Sequence, residues 1–242
     1  KLVTFLYKQA LKKSSGVIFQ NSDNCKLFID KGIIEAKKTF VVNGSGVNTS
    51  QFQYSELPSL GQGIHFLCVA RLLGEKGLRE YAQAASMVRA HYPNTTFTLL
   101  GPEDSSPDAL KIVDVMKWGE DSGVDYQGTA DDVRPYIKQA HVFVLPSYHE
   151  GLPKALLEAA SCELPIVSYN VSGCREIVKD NINGFLVPFK DENALFIAVL
   201  ELLENPKLRS KFGKMGRKMV MEEFTQEKIA SETIRVWGEI SK

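Results

Sequence analysis

Two glutamates, Glu150 and Glu158, stand eight positions apart in a pattern that predicts a strand, a loop and a helix. The apolar run 141–145 predicts a buried strand, Glu150 and Gly151 lie in the polar loop after it, and Pro153 suits the first turn of a helix. Ligands of α/β folds bind where the strands end, so the two carboxylates are predicted to point into one crevice.

The two carboxylates and the start of the helix together favour a ligand that carries both hydroxyl groups and negative charge. Glu150 would contact whatever lies over the loop, and Glu158 would accept hydrogen bonds from two neighbouring hydroxyls, as a ribose presents them. The free backbone N–H groups of Gly151, Leu152 and Lys154 at the start of the helix favour an anion. Taken by themselves, the two glutamates are more simply explained as a solvated loop residue and an ordinary helix residue.

A second group of residues that could do chemistry lies in the basic, glycine-containing loop at 70–77. Arg71 and Lys76 follow the predicted strand 64–70, and the glycines of the loop allow a tight bend. Arginine offers a planar fork for phosphate oxygens and lysine a point charge, so the pair is predicted to clamp a diphosphate from two sides. The alternative is a basic loop whose charges lie in water.

Two other catalytic interpretations start from the same region. His149, next to Glu150, suggests general acid–base catalysis, but a loop histidine there is better explained as a shape or hydrogen-bonding element. The two glutamates also resemble the paired carboxylates of a glycosidase, which must flank one bond. A phosphate clamp opposite them favours donor binding over hydrolysis.

The elements that must position these residues alternate regularly between strand and helix. This alternation predicts a parallel sheet covered on both faces, the doubly wound, Rossmann-like α/β class. The predicted strands are 64–70, 96–100, 124–127, 142–145, 165–169 and 185–187, and the predicted helices are 77–91, 107–118, 131–140, 153–162, 174–179, 192–204, 206–223 and 226–239.

The beginning of the chain has a different organisation. It predicts a helix at 2–13, a strand at 17–20, a helix capped by Ser22, a strand at 39–42 and a glycine-rich turn at 43–47. A Pro-, Ser- and Gly-rich stretch at 57–63 predicts a linker. We therefore divide the chain into 1–55, the end of an amino-terminal domain, and 56–242, a second domain. Because Lys1 already stands in a helical pattern, we expect an amino-terminal part to be missing.

Composition excludes several classes of function. The 242 residues carry a formal net charge of zero, which argues against nucleic acid as a partner. The four cysteines are scattered and the histidines lack metal-ligand spacing, so reduced thiols, a cytoplasmic location and no bound metal are expected. The chain lacks both a Walker motif and G-x-G-x-x-G after a strand, which argues against P-loop and hydride-transfer enzymes.

Taken together, these motifs resemble those of one enzyme family. The chain resembles the carboxyl-terminal, donor-binding half of a GT-B glycosyltransferase of the family 4 type. The resemblance rests on an ordered set of motifs that covers nearly the whole chain: NGSGVNTSQF at 43–52, ARLLGEKG at 70–77, LLG at 99–101, PSYHEGLPKALLEA at 146–159, PIVSYNVSGCREIV at 165–178, NGFLVP at 183–188 and EEFTQEKIASE at 222–232.

The resemblance implies roles for individual residues. Arg71 and Lys76 would hold the donor diphosphate and stabilise its charge as it leaves. Glu150 would contact the donor sugar near its 3- and 4-hydroxyls, and Glu158 would bind the ribose diol. The backbone at Gly151 and Leu152 would lie against the sugar and phosphate, and the loop after Gly101 and the segment 126–131 would lie near the base.

The resemblance also implies an activity. We expect transfer of a hexosyl group from a nucleotide-sugar, a UDP-sugar by family frequency, with retention at the anomeric carbon and with no cofactor or bound metal. The acceptor would be a glycan or lipid-linked molecule in polysaccharide or lipopolysaccharide biosynthesis, which suggests peripheral contact with the inner face of the membrane. A nucleotide-sugar epimerase, a phosphorylase and a non-catalytic binding module remain alternatives, and transfer by this chain alone is left open.

Overall fold

The computed structural model describes residues 1–56 and 63–241. The strands are β1 (Val17–Phe19), β2 (Thr39–Val41), β3 (His65–Val69), β4 (Thr96–Leu100), β5 (Val124–Tyr126), β6 (Val142–Leu145), β7 (Ile166–Tyr169) and β8 (Gly184–Val187). The α-helices are α1 (Leu2–Leu11), α2 (Ser22–Asp30), α3 (Leu78–His91), α4 (Ile112–Asp121), α5 (Arg134–Gln139), α6 (Lys154–Ser161), α7 (Cys174–Ile177), α8 (Glu192–Glu204), α9 (Pro206–Glu223) and α10 (Gln226–Ile240).

Strands β3 to β8 form a six-stranded sheet in the order β5-β4-β3-β6-β7-β8, and every neighbouring pair is parallel. Counted from β3, this is the 3-2-1-4-5-6 order of a doubly wound fold. The order reverses between β3 and β6, so a crevice opens where these two strands end. The predicted fold class is confirmed, and the loops carrying Arg71 and Glu150 follow the two strands at this point.

Helices cover both faces of the sheet because its strands are apolar on both sides. All four residues of β6 and of β7 are buried. On one face α3 packs against α8, and elsewhere α6 packs against α9. Inside the core the rings of Phe66 and Phe97 stack with centroids 4.6 Å apart, and the Tyr81 hydroxyl contacts the carbonyl oxygens of Phe66 and Thr98. The result is one continuous core beneath the strand ends.

The amino-terminal segment forms a separate layer. Strands β1 and β2 pair in parallel, and α10 returns to pack against them through a small cluster of Val42, Ile229 and Val236. The Val47 N–H donates to the Phe224 carbonyl at 2.9 Å, which ties the end of this segment to the start of α10. The division at residues 55 and 56 stays a prediction, and the proposed linker lies, except for Gly63, outside the described residues.

Three predicted helix starts were wrong. The helix expected at 107–118 begins at Ile112, since the preceding residues are used in backbone hydrogen bonds from Gly74 to Asp108 and from Leu110 to Leu72. The helix expected from 131 begins at Arg134. Helix α2 is capped by Asn21 rather than Ser22, and its side chain accepts from the Asn24 N–H at 2.8 Å.

The four cysteines are buried and free, as expected for reduced thiols. Burial raises the pKa of Cys162 to about 11 and that of Cys174 to about 12, so both remain protonated and unreactive near neutral pH. Within the described ranges, no helix is both long enough and apolar enough to span a bilayer.

Two helical glycines provide a matched test of the packing between α9 and α6. A Cβ at Gly213 would stand 1.9 Å from the Glu163 carbonyl oxygen, whereas one at Gly238 in α10 would meet nothing within 4 Å. Alanine favours a helix by about 1 kcal/mol in both places, but overpacking costs about 1–3 kcal/mol. We expect Gly238→Ala to stabilise the chain and Gly213→Ala to be less stable than Gly238→Ala by about 1–3 kcal/mol in urea denaturation. Equal effects would contradict the close approach of α9 to the Glu163 carbonyl in the turn after α6.

Candidate functional site

Three loops meet at the carboxyl ends of β3, β4 and β6, and backbone hydrogen bonds join them. The Leu72 N–H donates to the Pro102 carbonyl at 2.9 Å, and the Tyr148 N–H donates to the Glu75 carbonyl at 2.8 Å. The loop after β3 is therefore held between the loops after β4 and β6. This is the crevice predicted from the order of the strands.

Lys76 and Glu150 come together in this crevice as an ion pair. Lys76 Nζ lies 2.7 Å from Glu150 Oε1, and the two side chains are only 11% and 14% exposed. The approach depends on Gly77, which has a left-handed φ of 66°, and a Cβ there would stand 1.9 Å from the Pro146 carbonyl oxygen. Glycine is required at this point because it allows the two loops to touch.

Arg71 is paired with a carboxylate of a different loop. Its NH1 group donates to Asp104 Oδ2 at 2.6 Å, with Arg71 55% and Asp104 13% exposed. Hydrogen bonds from Ser106 and then the charge of Arg71 hold the pKa of Asp104 below its usual value. The predicted clamp thus has both cations at the strand ends, but each is bound to a carboxylate of the chain.

The loop containing Gly151 and Leu152 contacts the amino-terminal segment. Asn21 donates its side-chain N–H to the Gly151 carbonyl at 2.6 Å, and Asn21 is fully buried. A Cβ on Gly44, which has a φ of 68°, would stand 2.5 Å from Leu152 Cδ2. Sequence reasoning missed Asn21, although an asparagine directly before a helix is a recognisable capping signal.

Gly101 lies where β3, β4 and β5 end close together. A Cβ on it would stand 1.9 Å from the Ala70 carbonyl oxygen, next to Arg71. Its N–H donates to the Gly128 carbonyl at 2.8 Å, and its carbonyl accepts from the Tyr126 hydroxyl at 2.9 Å. Gly101 therefore lets the backbones of the neighbouring loops approach one another.

Glu158 occupies the second turn of α6 and is nearly buried. Its side chain is 12% exposed, and the Lys154 ammonium nitrogen lies 3.7 Å from Oε1. Burial raises the pKa of Glu158, and the charge of Lys154 opposes that rise. The carboxylate thus keeps acceptor capacity for hydroxyl groups in a partly desolvated position. Its predicted contact with a ribose stays a prediction.

A buried carboxylate on α3, which the sequence pattern did not reveal, supports the loop after β6. Glu80, 8% exposed near the start of α3, accepts a hydrogen bond from the Tyr148 hydroxyl, and Lys190 Nζ lies 4.3 Å from the centre of the Tyr148 ring. Burial, followed by the hydrogen bond to Glu80, raises the pKa of Tyr148. Tyr148 stands two residues before Glu150, so this contact fixes the base of the loop that presents Glu150.

His149 is exposed at the tip of the same loop. Its carbonyl oxygen accepts a hydrogen bond from the Ser147 hydroxyl at 3.3 Å. Across residues 1–56 and 63–241, no group of three or more His, Cys, Asp or Glu residues is arranged to hold a metal ion.

The buried Lys76–Glu150 pair predicts an asymmetric effect on stability. Glu150→Ala should lower the free energy of unfolding by about 2–3 kcal/mol, because Lys76 would keep a nearly buried, unpaired charge. Replacing both residues at once, as Lys76→Met with Glu150→Leu, should recover part of the loss. Urea denaturation measures the free energy of unfolding of the single and the double variant. Glu239→Ala, which breaks the exposed Arg235–Glu239 pair, is the control, and we expect it to change stability little. A loss as small as that of the control would contradict the pairing.

Glu158 predicts a dependence of stability on pH. Because its folded-state pKa is raised above the ordinary value of 4.5, the folded chain holds this proton more tightly than the unfolded chain. The stability contribution of Glu158 is therefore present below pH 4.5 and is lost as pH rises from there through the raised pKa of the folded state. We expect the stability of Glu158→Gln relative to wild type to increase between pH 4 and pH 7 in chemical denaturation. A difference that stays constant with pH would contradict the burial of this carboxylate.

Comparison with solved structures supports the same fold. Sucrose-phosphate synthase from Thermosynechococcus elongatus superposes with a TM-score of 0.83 at 25% identity, covering 98% of this chain and 61% of that one. The HepE protein of Anabaena, solved in complex with UDP-glucose, gives a TM-score of 0.81 at 18% identity, over 93% of this chain and 64% of that one.

Comparison with protein sequences identifies the family. An N-acetylgalactosaminyltransferase of Campylobacter jejuni, named for its diacetylbacillosaminyl-diphospho-undecaprenol acceptor, is 26% identical over 252 aligned positions; the match covers all of this chain and 65% of that protein. Other curated relatives are spanned over about half of their length, for example 55% of one in Bacillus subtilis. The family model described as "Glycosyl transferases group 1" matches residues 63–205, a range that includes the predicted site residues Arg71, Lys76, Gly101, Glu150, Gly151, Leu152 and Glu158. The chain belongs to this family.

Proposed function

We propose that this chain is the donor-binding part of a glycosyltransferase that uses a nucleotide-sugar, most simply a UDP-sugar. The observation that carries the proposal is the placement of Arg71, Lys76 and Glu150 in the loops after β3 and β6, where the strand order reverses and where Lys76 pairs with Glu150. Family membership supports it, and so does the UDP-glucose held by the HepE protein, which has the same fold.

The residues of the crevice divide the donor between them in this proposal. Arg71 and Lys76 bind the diphosphate and stabilise the negative charge that develops on it as the sugar leaves. Positive charge would thus come from the protein's own side chains rather than from a bound metal ion. Glu150 contacts hydroxyls of the sugar, and the nearly buried Glu158 accepts both hydroxyls of the ribose.

Binding a diphosphate exchanges ionic partners. In the structure Lys76 is paired with Glu150, and Arg71 is paired with Asp104. Phosphate oxygens would take over the cations, and the carboxylate of Glu150 would be released to accept hydrogen bonds from the sugar. The same pair of residues would therefore couple recognition of the diphosphate to recognition of the sugar.

We propose a glycan or lipid-linked acceptor, in agreement with the name of the Campylobacter relative. Such an acceptor would place the whole protein in polysaccharide or lipopolysaccharide biosynthesis, at the cytoplasmic face of a membrane. Because this chain spans 65% of that relative, transfer is proposed for the whole protein, with retention at the anomeric carbon as a prediction of the family resemblance.

Calorimetric titration with UDP, GDP, ADP and UDP-sugars tests the proposal. Arg71→Ala and Lys76→Ala should each weaken UDP binding by about 1.5–3 kcal/mol, the range for charge-assisted hydrogen bonds. Glu158→Ala should weaken UDP even without a sugar, whereas Glu150→Gln should reduce the preference for UDP-sugar over UDP. Arg235→Ala, in an exposed ion pair on α10, serves as the control. Unchanged UDP affinity in the Arg71 and Lys76 variants would contradict the phosphate assignment.

A further inference from the structure

The loop after β4 is folded onto the loop that presents Arg71. The Gly74 N–H donates to the Asp108 carbonyl at 2.9 Å, and the Glu75 N–H donates to Asp108 Oδ2 at 2.7 Å. Leu73 and Ala109 form an isolated antiparallel bridge between the same two loops. These contacts fix where the acidic residues of the second loop stand relative to Arg71.

Asp104 is the acidic residue of this loop that reaches the guanidinium. Its Oδ1 accepts from the Ser106 N–H at 2.8 Å and from the Ser106 hydroxyl, while its Oδ2 accepts from Arg71 at 2.6 Å. Hydrogen bonds from Ser106, in the same loop, hold Oδ1, and Oδ2 remains to pair with Arg71. Asp104 is 13% exposed, but Arg71 is 55% exposed, so the cation can leave the pair by swinging into solvent.

We propose that Asp104 competes with the ligand for Arg71, as an internal anion that occupies the guanidinium until a phosphate group of the ligand displaces it. This inference rests on the proposed function. Any ligand that takes over Arg71 must break the Arg71–Asp104 pair, and a phosphate offsets this cost because it binds the guanidinium fork better than one carboxylate oxygen does. A ligand without such a group leaves the Arg71–Asp104 pair intact and gains no contact there.

Removing the carboxylate should therefore tighten diphosphate binding. Asp104→Asn keeps the size of the side chain and an oxygen for the Ser106 N–H, but it removes the charge that holds Arg71. Exposed ion pairs are weak, so we expect a two- to fivefold lower Kd for UDP, about 0.4–1 kcal/mol at 1.4 kcal/mol per tenfold. If Asp104 instead positioned Arg71 for the ligand, the same substitution would weaken UDP binding.

The experiment is calorimetric titration of UDP into the wild type, Asp104→Asn and Glu103→Gln in a phosphate-free buffer. Glu103 is the matched control, because it lies in the same loop and its Oε1 accepts from the Ile112 N–H at 3.3 Å rather than from Arg71. Tightening in Asp104→Asn that clearly exceeds that in Glu103→Gln supports the proposal. Unchanged or weaker binding in Asp104→Asn overturns it.

A double-mutant cycle separates competition for Arg71 from simple repulsion of the ligand by a nearby charge. In an Arg71→Ala background, Asp104→Asn should leave UDP affinity unchanged, because the contested cation is gone. The same tightening in both backgrounds would overturn the proposal in favour of repulsion.

The outcomes also separate this inference from the proposed function. Wild-type binding that Arg71→Ala weakens, together with no tightening in Asp104→Asn, would retain the donor site and remove only the role of Asp104. Absence of UDP binding in both the wild type and Asp104→Asn would contradict the two together.

Discussion

The ion pair between Lys76 and Glu150 is the constraint on which the site depends. Two nearly buried charges lose most of their hydration, and only a close contact compensates for that loss. The 2.7 Å contact therefore requires the loops after β3 and β6 to lie against each other. Gly77 permits the approach, and the backbone hydrogen bond from Tyr148 to Glu75 maintains it.

The loop that carries Glu150 is braced from two directions. From α3, the buried carboxylate of Glu80 accepts a hydrogen bond from the Tyr148 hydroxyl. From the amino-terminal side, Asn21 holds the Gly151 carbonyl, and an ion pair of 2.6 Å between Asp23 and Arg175 adds a second link between the layers. A side chain held in this way needs little further ordering when a ligand arrives, which is the physical meaning of preorganisation.

Each of the two cations of the predicted phosphate clamp has a carboxylate partner in the structure. Binding of an anion would thus be an exchange of partners rather than a simple addition of charges. Lys76 and Glu150 are nearly buried, whereas Arg71 is half exposed, so the two exchanges differ in cost. The buried pair favours a defined geometry, and the exposed pair leaves Arg71 free to respond to the ligand.

The sequence by itself determined the architecture and the positions of the site residues along it. Alternating strand and helix patterns predicted the parallel sheet, and the motifs at 70–77 and 146–158 predicted which loops lie at the ends of its strands, because periodicity and turn residues encode local structure. Only the tertiary structure decided the partners: Arg71 meets Asp104, Lys76 meets Glu150, and Asn21 reaches Gly151. The start of α4 was decided in the same way, by hydrogen bonds to the loop after β3. Such contacts join segments far apart in the chain, so they depend on how the loops approach one another, and local patterns do not specify that approach.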